Sequence, residues 1–142
     1  MYKLLVPIDS SENSMRALDF ALGVAREIGP IELCLVNAQE KSIVYGEVEV
    51  YLSTEKAEKM LHEHAQELLR PAIEKAKAAG VPFTSTILVG DIAPSIVRHA
   101  EDAGCSGIVM GTHGRTAIGS LFMGSVAMKV VHLSKLPVTL VK

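Results

Sequence analysis

Five short apolar runs alternate along the chain with four longer segments in which apolar residues recur every three or four positions. Tyr2 to Ile8 has the unbroken apolar character of a strand buried on both faces, with Pro7 at its end, where a missing N–H is tolerated. Met15, Leu18, Leu22 and Ala25 then follow helical spacing until Gly29-Pro30 stops the helix. Ile31 to Val36 is a second strand. From Asn37 to Leu52 the pattern weakens, and its alternating Val44–Val50 portion is open between an edge hairpin, an extended loop and a cover. Ser53-Thr54-Glu55 signals a helix start, and Ala57, Met60, Leu61, Ala65, Leu68, Ala72, Ile73 and Ala76 carry an apolar stripe to Gly80. Pro71 predicts a kink in that helix. Phe83 to Val89 is a third strand. Gly90-Asp91 turns into a helix carrying Pro94, Ile96, Val97 and Ala100. Cys105 to Met110 gives the fourth strand, Val126, Val130 and Leu133 the last helical stripe, and Leu136 to Val141 the fifth strand.

Strands alternating with helices of this length predict an α/β fold of right-handed βαβ units. The expected architecture is a Rossmann-like single domain over residues 1–142, an open five-stranded sheet with helices on both faces. Such sheets bind ligands beyond the carboxyl ends of the strands, where the strand order reverses. If the order is 3-2-1-4-5, that reversal lies between strands one and four, and Asp9 and Gly111 become neighbours across one crevice.

The chemistry concentrates after the fourth strand. Met110-Gly111-Thr112-His113-Gly114-Arg115 opens a glycine-rich stretch that continues to Gly124-Ser125-Val126 at the start of the last helix. Glycine admits close approach of backbone to ligand. A nest of loop amides followed by a helix N-terminus suits an anion, so a phosphate-bearing ligand is the first expectation. The spacing is not that of the Gly-x4-Gly-Lys-(Ser/Thr) loop, whose lysine is missing here. Pro7 to Ser11 contains no glycine, so the dinucleotide fingerprint after the first strand is missing too.

Gly111, Gly114, Gly124 and Ser125 reproduce Gly-x2-Gly-x9-Gly-(Ser/Thr), and with Val6-Pro7-Ile8-Asp9-Ser10-Ser11 at one end and Pro137-Val138-Thr139-Leu140-Val141 at the other, the chain resembles the universal stress protein family throughout. That resemblance implies the 3-2-1-4-5 sheet with ATP at the switch point. At matching positions, the Asp9 carboxylate and Val36 main chain would meet the adenosine end and Gly111 would underlie the ribose. The backbones of Gly114, Gly124, Ser125 and Val126, with the Ser125 hydroxyl, would hold the phosphates; Pro7 and Met110 complete the set. It also implies a homodimer paired through the last strand, Val138, Thr139, Leu140 and Val141. Mg²⁺ would come with the ATP, through the phosphates.

Individual residues carry two readings each. Asp9-Ser10-Ser11-Glu12 has the spacing of a capping box, so Asp9 is either a helix cap or a ligand contact. Ser125 is likewise an N-cap or a phosphate partner. Arg115 offers a guanidinium suited to oxyanions or a solvated loop arginine, and His113 a phosphoryl contact or an ordinary turn residue. His62 and His64 point to different helix faces and do not form a metal pair.

Composition narrows the function classes. The 142 residues are 49% hydrophobic and 21% charged with a net charge of −2, and the basic residues are dispersed. This argues against nucleic acid and a polybasic membrane anchor as partners. No apolar run reaches a membrane span and the N-terminus lacks a signal-peptide pattern, so a cytoplasmic protein is expected. Cys34 and Cys105 read as small core residues in a reducing compartment. The leading functional expectation is an ATP-binding regulatory protein acting on an unknown protein partner. The alternatives are a slow ATPase or autophosphorylating enzyme, and a nucleotide-independent dimeric interaction protein.

Overall fold

The computed structural model describes residues 1–40, 54–113 and 123–142. Gly114, Arg115 and the segment 41–53 therefore lie outside the described residues. The elements are β1 (Tyr2–Pro7), α1 (Glu12–Ile28), β2 (Ile31–Gln39), α2 (Thr54–Ala79), β3 (Phe83–Val89), α3 (Ile92–Asp102), β4 (Gly107–Gly111), α4 (Ser125–Leu133) and β5 (Val138–Val141). The strands form one parallel sheet in the order β3-β2-β1-β4-β5, as the sequence predicts.

Alternation along the central strands divides the core. Leu4 and Val6 of β1, with Leu33 and Leu35 of β2, pack under Leu18 and Leu22 of α1 and Leu69, Ala72 and Ala76 of α2. Leu5, Cys34, Val36, Ile108 and Met110 face the other way, against Ile96 and Ala100 of α3 and Ala127 and Val130 of α4. With a helix pair on each face, the central strands are buried on both sides, which explains their unbroken apolar character. Cys34 and Cys105 are buried free thiols whose sulfurs lie 3.6 Å apart. Burial, then the neighbouring Cys34, pushes the Cys105 thiol up to about 12.

Four boundaries differ from the sequence reading, each for a local reason. β2 runs past Val36 to Gln39 because β3 continues to pair with it through Gln39↔Val89. β4 begins at Gly107 rather than Cys105, since the Cys105 amide closes the end of α3 on the Ala100 carbonyl. β5 begins at Val138 because Ser134 Oγ bonds both the amide and the carbonyl of Leu136, which holds that residue in a turn. The cap of α1 is Ser11, not Asp9: Ser11 Oγ accepts from the Ser14 amide at 3.1 Å. α2 is continuous through Pro71, which lies on its exposed side. Among the described residues, no helix is long and apolar enough to cross a membrane.

Candidate functional site

The chain leaving β1 makes a tight bend. The Ile8 amide still donates to the Val36 carbonyl at 2.7 Å, and Asn37 Nδ2 donates to the Ile8 carbonyl at 2.7 Å. Ser10 then takes a left-handed backbone with φ 61°, unusual for a residue with a side chain, and its hydroxyl donates to the Leu68 carbonyl at 2.6 Å. Asp9 stabilises this bend: its Oδ1 accepts from the Ser11 amide at 2.9 Å. Asp9 is half-buried, and its second carboxylate oxygen has no partner among the described residues.

At the end of β4, backbone and helix approach closely. A β-carbon on Gly111 would fall 2.5 Å from Asn13 Oδ1 and 3.0 Å from the Asn13 main-chain carbon, so only glycine fits there. Asn13 is buried, and both ends of its amide are bonded. Nδ2 donates to the Val141 carbonyl at 2.9 Å, and Oδ1 accepts from the His113 amide at 2.6 Å. The Thr112 hydroxyl lies 3.5 Å from the same oxygen and 2.8 Å from His113 Nδ1. His113 Nε2 is buried without a hydrogen-bond partner among the described residues.

The start of α4 is tied back to this corner. The Gly124 amide donates to the Thr112 carbonyl at 2.6 Å, and the Gly124 carbonyl accepts from Met128 at 3.0 Å. Gly124 is thus the N-cap of α4, with no side chain to satisfy the first turn; Ser125 is the first helical residue and not its cap. The amides of Ser125, Val126 and Ala127 have no acceptor among the described residues. Such amides, with the positive end of the helix dipole, favour a negative charge.

A cavity of about 580 Å³ opens between these three places. This falls within the roughly 300–1,000 Å³ typical of small-ligand sites. Pro7, Asp9, Met110, Gly111, Gly124, Ser125 and Val126, all anticipated from the sequence, line it together. Val36 does not: it is fully buried and its carbonyl is taken by Ile8, so the wall from β2 is made by Asn37 and Ala38 instead. The Gly124 amide is bonded within the protein, to the Thr112 carbonyl. The floor and far side come from Ile92 and Ile96 of α3 and from Met123, none of them foreseen as site residues. Asn13 and Ser14 were also missed. Their signal was present, since Asn13 precedes Ala17 and Ser14 precedes Leu18 by one helical repeat, placing two polar side chains at the top of the buried stripe.

Comparison with known proteins agrees with this architecture. The universal stress protein family matches residues 1–142. The Bacillus subtilis universal stress protein YxiE is 33% identical over 146 residues, spanning 99% of this chain and 98% of the relative. Universal stress protein MJ0577 of Methanocaldococcus jannaschii is 32% identical over 157 residues, covering 100% of this chain and 96% of its own length. A solved MJ0577 structure superimposes with a TM-score of 0.86 at 28% identity, over 99% of this chain and 95% of that one. A universal stress protein solved in complex with cAMP gives 0.67 at 25% identity, over 99% and 97%. The chain belongs to the universal stress protein family.

Proposed function

We propose that this protein binds ATP in the cavity between β1 and β4, and that the bound nucleotide sets a conformation read by a protein partner. The observation that carries this reading is the row of amides at Ser125, Val126 and Ala127, without acceptors among the described residues, in the lining of a cavity that Asp9 also lines. The amides suit phosphate oxygens; a carboxylate accepts hydrogen bonds and suits the hydroxyls of a ribose or the amino group of a base. The apolar wall of Ile92, Ile96 and Met110 suits the base itself. The Ser125 side chain is exposed at the same helix end, free to add a hydroxyl to the phosphate contacts. Gly114, outside the described residues, keeps its proposed phosphate role through the family spacing, Arg115 keeps its own through a guanidinium suited to oxyanions, and Mg²⁺ would be carried by the phosphates. A related protein that takes cAMP supports an adenine nucleotide as the ligand class.

A homodimer through Val138–Val141 is part of the same proposal. It is supported by the place of β5 at the sheet edge, where one side of the strand has no neighbour in the sheet. Titration calorimetry on nucleotide-stripped protein tests the binding reading. ATP should bind more tightly than AMP, and no measurable heat at millimolar ATP would end it.

A further inference from the structure

We infer that Asn13 is the positioning residue of this site, an inference that rests on the nucleotide reading above. Asn13 touches neither the cavity nor any proposed ligand atom. It is 7% exposed, on the first turn of α1, yet it connects three separate parts of the chain around the cavity. Its Nδ2 bonds the Val141 carbonyl at the end of β5, the same oxygen that accepts from the Thr112 amide at 3.0 Å. Its Oδ1 bonds the His113 amide. Thr112, pinned from both sides, presents its carbonyl to the Gly124 amide, which fixes the first residue before α4.

The path from Asn13 to the free amides of α4 is therefore short and made of hydrogen bonds: Asn13 to His113 and Thr112, Thr112 to Gly124, and Gly124 to the α4 start. Gly111 belongs to the same device, because its lack of a β-carbon is what lets the Asn13 side chain reach this corner. No other neutral side chain of this size offers a donor and an acceptor in one plane. Aspartate lacks the donor for Val141 when ionised; serine and alanine cannot span the gap. Phosphate capture by main-chain amides depends on their being aimed beforehand, so an error at Asn13 should be felt by the phosphates and not by the adenosine end.

The test is calorimetric titration of ATP and adenosine into wild-type protein, Asn13→Ala, Asn13→Ser and Arg16→Ala, with the folded fraction measured by circular dichroism. Arg16 Nε bonds the Lys142 carbonyl, one residue beyond Val141, and reaches none of the site, so Arg16→Ala is the control for a loosened C-terminal strand. Asn13→Ala should weaken ATP by about tenfold, the scale of one lost hydrogen bond with its unpaired partner, while adenosine changes by less than about twofold. Asn13→Ser should behave in the same way, and Arg16→Ala should leave both ligands unchanged. A folded Asn13 variant that keeps the wild-type ratio of ATP to adenosine affinity overturns the inference, as does an equal loss for both ligands. Should neither Asn13 variant fold, the residue serves the fold alone and the inference is again overturned. Wild-type protein that does not bind ATP would instead remove the nucleotide reading on which the inference stands.

Discussion

The Asn13 side chain of α1 occupies the space that a β-carbon on Gly111 of β4 would need, with Oδ1 only 2.5 Å from that position. The two residues are 98 positions apart in the chain, yet neither can be changed without the other responding. Gly111→Ala should cost about 1–3 kcal/mol by overpacking. Asn13→Ala should cost about 1–3 kcal/mol by stranding the His113 amide and leaving the Val141 carbonyl with the Thr112 amide alone. In the double variant the alanine methyl on residue 111 no longer meets Cγ and Oδ1, so the combined loss should be smaller than the two single losses added together. Urea denaturation of the four proteins measures this, with an expected coupling of about 1 kcal/mol.

Two serines at helix starts should behave in opposite ways. Ser11 caps α1 through its side chain, so Ser11→Ala should lower stability by about 1 kcal/mol. Ser125 caps nothing, because the N-cap of α4 is Gly124, and its side chain is exposed. Ser125→Ala should leave stability within about 0.5 kcal/mol and weaken ATP severalfold. Thermal unfolding and nucleotide titration of both variants separate the two roles.

The buried thiol of Cys105 gives a pH dependence of definite sign. Its folded value of about 12 lies above the ordinary 9.0, so between these values the unfolded chain releases a proton that the folded chain keeps. Stability from this group is complete below pH 9.0 and is lost as pH rises towards 12. Cys105→Ala should flatten the fall in urea midpoint across that range. At pH 8 the native protein should react with a thiol reagent far more slowly than the unfolded chain, since the thiolate is the nucleophile.

Pro71 is an exposed proline inside α2, a helix of 26 residues. Replacing it with alanine restores one helical hydrogen bond, a gain of roughly 3 kcal/mol on the propensity scale, less about 1 kcal/mol for the freer unfolded chain. Pro71→Ala should therefore raise the urea midpoint by an amount equivalent to about 2 kcal/mol, with nucleotide affinity unchanged.

Much of this arrangement could be read from the residues alone. The apolar runs at Leu4–Val6, Leu33–Val36 and Ile108–Met110 are buried on both faces, which is what periodicity detects best, and they fixed the order of elements. The convergence of Asp9 and Gly111 followed from the strand order that the family resemblance implies, and seven anticipated residues share one cavity. What periodicity could not supply was the hydrogen bonding of single side chains. Ser11 rather than Asp9 became the cap because Asp9 is still in the bend after β1, where its carboxylate serves the Ser11 amide. Gly124 looked like a phosphate ligand by spacing, but its amide closes on Thr112, a contact that exists only once β4 and α4 are docked. The polar place of Asn13 above the α1 stripe was legible, but its partners, 99 to 128 residues away, were not.

The central claim, that the first amides of α4 receive phosphate, is tested most directly by amide NMR. ¹⁵N-labelled protein would be titrated with ATP and, separately, with adenosine. The amides of Ser125, Val126 and Ala127 should shift strongly with ATP and little with adenosine, while residues near Asp9 respond to both. Unmoved Ser125–Ala127 amides at saturating ATP, or equal shifts with adenosine, would contradict it.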